Sequence, residues 1–173
     1  MTDTVADNLP GLFSRYRSRG VLVDTNILLL FFVGTFDPRL IPQFKRTAQF
    51  TVEDFAILAP LLLSFRQIVT TPNILTEVSN LSGQIGEPRR RQYFTHFSQR
   101  IGVLNEVGRL AEKYTTSADI VRLDHFPRLG LTDSGIIQIA KGAYLVLTDD
   151  LMLYSSLSHA GVDVCNFNHL RML

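Results

Sequence analysis

Five carboxylates in this 173-residue chain stand where apolar runs stop. Asp24 follows Val21-Leu22-Val23, and Glu77 follows Asn73-Ile74-Leu75-Thr76. Asp133 follows Leu129-Gly130-Leu131-Thr132, and Asp149 and Asp150 follow Tyr144-Leu145-Val146-Leu147-Thr148. An apolar run that ends in an acid is the pattern of a buried parallel strand delivering a side chain to the carboxyl edge of its sheet. Acids that meet in one pocket repel and raise one another's pKa values, so a fold keeps them together only with a cation or a proton to compensate. Oxygen-only ligands suit Mg²⁺ or Mn²⁺. One or two such ions would acidify a water and stabilise charge on a phosphate and its leaving oxygen. Asn26 and Thr148 lie beside the acids and are expected to orient a carboxylate or a water. Each acid also has a plainer reading: Asp24, Asp133 and either Asp149 or Asp150 can cap the helices that follow them, and Glu77 can be a surface helix residue. The joint pattern, not any single acid, points to a site.

The elements that must position these acids can be read from periodicity and punctuation. Gly20 precedes a first strand over Val21 to Asp24. Asn26 onward, through Ile27-Leu28-Leu29-Leu30-Phe31-Phe32, predicts a buried helix that Gly34 and Asp37-Pro38 end. Thr51 and Asp54 have the spacing of a capping box and start a helix that runs to about Ser64. Phe65 to Thr70 reads as a second strand, and Thr71-Pro72 opens a helix with proline at its first position. Glu87-Pro88 begins a long helical region that continues through Val107, Leu110 and Ala111. Ala118 to Leu123 is either a third strand or a helix end. Gly130 to Thr132 lead into a helix near Asp133, Tyr144 to Thr148 is a strand, Leu151 to Ser158 a helix, and Val162 to Asn166 a final strand. Strands alternating with helices predict one α/β domain over residues 1–173: a three-layer α/β/α sandwich around a mostly parallel sheet. The first dozen residues, with Pro10-Gly11 as a turn signal, are expected to form a loose arm.

Composition narrows the function classes. Hydrophobic residues make up 46% and charged residues 19%, which fits a folded globular protein. The richest apolar stretches are too short to span a membrane, so no membrane partner is expected. A polar, acidic N-terminus and a single cysteine, Cys165, fit a cytoplasmic protein and exclude an internal disulfide or a cysteine zinc site. Cys165 itself reads as a core residue. Positive charge is mostly arginine, clustered at Arg15, Arg17 and Arg19 and at Arg89, Arg90 and Arg91. Arginine forks match phosphate geometry, and the nearby Tyr16 and Tyr93 could stack on bases; the plainer reading of each cluster is a solvated face. The four histidines lack the spacing of a zinc pair, and the glycines make no phosphate loop. A phosphoaspartyl phosphatase would need a second acid two residues after Asp24, where Asn26 stands and cannot shuttle a proton.

Four blocks then resemble, in order, the signature of the PIN-domain nucleases: Val21-Leu22-Val23-Asp24-Thr25-Asn26, Thr71 to Val78 around Glu77, Leu131 to Ile137 around Asp133, and Leu145 to Asp150. The resemblance implies a PIN-like sandwich and Mg²⁺- or Mn²⁺-dependent hydrolysis of RNA. It implies Asp24, Glu77, Asp133 and Asp150 as catalytic metal ligands, with Asp149 able to assist. Small bacterial members of this family include ribonuclease toxins, so an antitoxin protein and a homodimer are among the partners it implies. The stretch from Gly34 to Phe65 is longer than in compact members. The alternative reading is a non-catalytic PIN-like module that binds RNA or protein.

Overall fold

The computed structural model describes residues 9–172. Five strands form one all-parallel sheet: β1 (Val21–Val23), β2 (Ile68–Thr70), β3 (Leu110–Glu112), β4 (Leu145–Thr148) and β5 (Val164–Asn166), in the order β3-β2-β1-β4-β5. Strands β1, β2, β4 and β5 are buried throughout, as a sheet covered on both faces requires. Among the described residues nine α-helices connect and flank them: α1 (Leu9–Tyr16), α2 (Thr25–Phe36), α3 (Val52–Ser64), α4 (Pro72–Ser82), α5 (Arg89–Glu106), α6 (Ser117–Ile120), α7 (Phe126–Ala140), α8 (Leu151–His159) and α9 (Phe167–Leu170). Right-handed crossovers toward β3 set α2 to α5 on one face, and the return toward β5 sets α6 to α8 on the other. The helix contacts agree: α2 packs on α3, α4 and α5, and α7 packs on α6 and α8. The expected three-layer α/β/α sandwich is the fold observed.

Helix α2 is the centre of one layer. Ile27 to Gly34 are all buried, because sheet and helices enclose the helix on every side. The helix ends at Asp37-Pro38, as expected, but not at Gly34: it continues to Phe36, and the missing side chain at Gly34 admits the ring of Phe55 from α3. The expected capping box is present: Thr51 Oγ1 accepts from the Asp54 amide, and Asp54 accepts from the Thr51 amide. Asp54 is also held by Arg171 at 2.8 Å, a closure between distant parts of the chain.

Two further expectations are corrected. Leu110 and Ala111, expected to continue the long helix, form the third strand, Leu110–Glu112, and of the two alternatives for Ala118–Leu123 the helix end is observed, as α6 followed by a turn. Gly108, with φ of 67°, stops α5 and lets the chain turn into the edge strand within two residues. The supposed loose arm is helical from Leu9, whose side chain is buried, and Pro10 sits in the first turn where its missing N–H is harmless. Residues 1–8 of that arm lie outside the described residues. Cys165 is buried in the core, as its place in β5 predicts.

Candidate acidic site at the carboxyl edge

The acids gather where the strands end. In register, Val23 stands opposite Leu147 and Thr148 opposite Asn166, so Asp24, Thr148 and Asn166 continue one row across the carboxyl edge. The Asp24 amide extends the ladder by donating to the Leu147 carbonyl at 3.0 Å. Asp24 then caps α2: one carboxylate oxygen accepts the Thr25 amide at 2.6 Å, and the other accepts the Thr148 hydroxyl at 2.6 Å. Thr148 Oγ1 in turn accepts the Asp150 amide at 3.0 Å, which ties the β4–α8 turn to the same point. Asp150 caps α8 by accepting the amides of Met152 and Leu153.

Glu77 and Asp133 enter from helices. Thr71 caps α4, and Glu77, one and a half turns in, receives hydrogen bonds from the hydroxyls of Thr25, at 2.8 Å, and Thr132. Helix α7 is broken at Gly130, whose φ of 76° and ψ of −171° are open to glycine and closed to other residues. The chain restarts as helix at Leu131, which sets Asp133 in a first turn, where backbone dipoles favour a negative charge.

The charges are coupled. Burial, reinforced by the charges of Asp133 and Asp149, raises the Asp24 carboxyl to about 7, against the opposing hydrogen bonds from Thr148 and Thr25. Burial, with the charges of Asp150 and Glu77, raises Asp133 to about 6. Burial also raises Asp149, with Asp150 adding to the effect while Asn26 and Arg171 oppose it. Each of the five acids named from the sequence thus takes part in at least one of these charge interactions. Asp149 Oδ2 accepts from Gln49 Nε2 at 3.0 Å, whereas Asp149 Oδ1 is buried with no hydrogen-bond partner. The donor set is oxygen-only and so fits a hard divalent cation. Among the described residues no three His, Cys, Asp or Glu side chains are drawn into one ion-binding cluster as they stand.

Thr25, Thr132 and Gln49 were not singled out by sequence reasoning. Thr25 and Thr132 carry a faint signal, since each is a hydroxyl beside an acid at the end of an apolar run. Gln49 carries none, because its contact with Asp149 spans 100 residues.

The arginines part company. Arg15 pairs with Asp163 at 2.9 Å, the Arg17 carbonyl accepts from the Arg66 amide, and Arg19 reaches the Gly142 carbonyl. Asp163, Arg66 and Gly142 all precede strands, so this cluster lies at the amino edge, about 10 Å or more of strand from the acids. Arg89 pairs with Asp37 at 3.7 Å and Arg90 with Glu87 at 2.8 Å, while Arg91 is exposed. Arg89 lines an open cleft of about 760 Å³ with Phe44 and Lys45, and none of the five acids borders it. Neither tyrosine expected to stack on bases can do so. Tyr16 is buried with its hydroxyl donating to Asp163, and Tyr93 is fully buried against Ser82.

Fold and site together define a parallel α/β sandwich with a coupled acidic crevice at its carboxyl edge. No protein-family model, curated protein or solved structure matches the chain. Among the described residues no helix is long and apolar enough to cross a membrane.

Proposed function

We propose that the chain is a divalent-metal-dependent endoribonuclease of the PIN type that its four sequence blocks resemble. The observation that carries this reading is a set of acids at one sheet edge, where burial, reinforced by the charges of neighbouring acids, raises Asp24 to about 7 and Asp133 to about 6. Such a cluster is unfavourable when ionised and becomes favourable beside positive charge. Asp24, Glu77, Asp133 and Asp150 would hold Mg²⁺ or Mn²⁺, with Asp149 offering a further buried oxygen. When bound, the metal supplies charge opposite a phosphate and an acidified water.

The rest is the work of this chain's own residues. Thr148 and the Thr25 amide fix the Asp24 carboxylate from two sides. Thr25 and Thr132 hold Glu77 in the same way. This rigidity matters because oriented charge stabilises a transition state without reorganising at the moment of reaction. An antitoxin and a second copy of the chain are the protein partners that belong to this reading.

The test is incubation of a mixed RNA pool with purified protein in Mn²⁺, Mg²⁺ or EDTA, beside Asp24→Asn prepared identically. Cleavage that needs metal and is lost in the variant is the expected result. Cleavage that survives the substitution excludes this site, and a folded protein inactive in both metals turns the assignment toward a binding module.

A further inference from the structure

One aromatic ring stands in solvent at the carboxyl edge of the sheet, the edge that carries the acids. Tyr114 is 75% exposed, the one aromatic among the described residues exposed to that degree. The ring forgoes the burial that Tyr16 and Tyr93 obtain and is free to pack against a ligand.

The backbone on either side of this ring is held in place. Strand β3 ends at Glu112, and the Lys113 amide donates to the Thr70 carbonyl at 2.8 Å, which carries the β2–β3 ladder one residue past the sheet's carboxyl edge. Thr116 then caps α6 by accepting the Asp119 amide at 3.2 Å. The short link Tyr114-Thr115 is thus tethered at both ends. Tyr114 lines a small crevice together with Thr71, Lys113 and Thr132, and Thr132 is the residue whose hydroxyl donates to Glu77. Strand β3 lies two places from β1 in the sheet, about 10 Å away. A ring there is within reach of a nucleotide next to one whose phosphate faces Asp24.

Building on the nuclease reading above, we propose that Tyr114 is a stacking platform for a base of single-stranded RNA adjoining the scissile phosphate, with Lys113 against the neighbouring phosphate. A base stacked on this ring is held whatever its identity, because every base has a π-face. The exposed Lys113 ammonium contributes position and affinity without sequence preference. The ring and the cation would fix the register of the strand over the acids.

The experiment is fluorescence anisotropy in EDTA, where no cleavage occurs. The probes are a labelled single-stranded RNA of about a dozen nucleotides and the same strand with abasic positions. Tyr114→Ala should weaken binding of the normal strand by roughly tenfold, the scale of one lost base–ring stack. Tyr114→Phe should bind within about twofold of the wild type, since stacking needs the ring and not the hydroxyl. On the abasic strand, wild type and Tyr114→Ala should bind alike. Equal binding of the normal strand by wild type and Tyr114→Ala overturns this inference alone. So does an equal loss on both strands, which would assign the ring to the backbone. A wild-type protein that binds neither strand overturns the stacking inference as well, while the metal-dependent cleavage assay decides the nuclease reading on its own.

Discussion

Asp24→Asn should make the metal-free protein more stable at pH 8 and leave it nearly unchanged at pH 5. Asp24 is 6% exposed, and its carboxyl is raised from 3.8 to about 7, chiefly by burial. An acid that binds its proton more tightly folded than unfolded stabilises the fold fully below the unfolded value and loses that contribution as pH rises through the folded one. The window here runs from about pH 4 to about pH 7. At ~1.4 kcal/mol per pK unit, the whole effect is on the order of 4 kcal/mol. Of this, about 2 to 3 kcal/mol falls between pH 5 and pH 8. The amide gives weaker bonds to the Thr25 amide and the Thr148 hydroxyl than the carboxylate does, a loss of about 1 kcal/mol each. The balance is near zero at pH 5 and about 2 kcal/mol in favour of the variant at pH 8. For a chain of this length, that raises Tm by about 4 to 8 °C. Circular-dichroism melts in EDTA at the two pH values measure it. A variant that melts below the wild type at pH 8, or a difference that is the same at both pH values, refutes the electrostatic reasoning. Adding Mn²⁺ should stabilise the wild type and not the variant, since binding to the native state alone adds to stability.

Two other perturbations test the frame around the site. Thr132→Val removes a hydroxyl that donates to Glu77; urea unfolding should show a loss of about 1 kcal/mol, RNA cleavage should fall by about tenfold, and Thr132→Ser should restore both. Gly34→Ala would set a methyl group 2.2 Å from the Phe55 ring; the strain, ~1–3 kcal/mol, should outweigh the ~1 kcal/mol gain in helix propensity and lower Tm with the helical spectrum intact. An alanine variant as stable as the wild type would show that α2 and α3 can slide apart freely.

Much of this protein was legible without its structure, for reasons that are local. Val21-Leu22-Val23 and Leu145-Val146-Leu147 could only be strands buried on both faces, and Thr51 with Asp54 could only open a helix. Hydrophobic pattern and capping geometry act over a few residues, so they are written in consecutive letters. The ends of those runs therefore named Asp24, Glu77, Asp133, Asp149 and Asp150, and the alternation of elements predicted the α/β/α layers. Local rules misjudged Gly34, because a glycine that ends a helix and one that admits a neighbour's ring are the same letter. They also carried the long helix into Leu110 and Ala111, since Leu110–Glu112 is a short edge strand whose partner, β2, lies 42 residues back in register.

What only the tertiary structure decided is which distant groups meet. Strand order placed Thr148 against Asp24 across 124 residues and Gln49 against Asp149 across 100. It separated Arg15, Arg17 and Arg19 from the acids by sending them to the opposite edge of the sheet, although in sequence they lie only a few residues from Asp24. It buried Tyr16 and Tyr93 and left Tyr114 in solvent, three tyrosines that composition cannot tell apart. Side-chain type and spacing determine what chemistry each residue can perform. Burial and through-space charge determine which perform it together, and these depend on distances that close only when the whole sheet has formed.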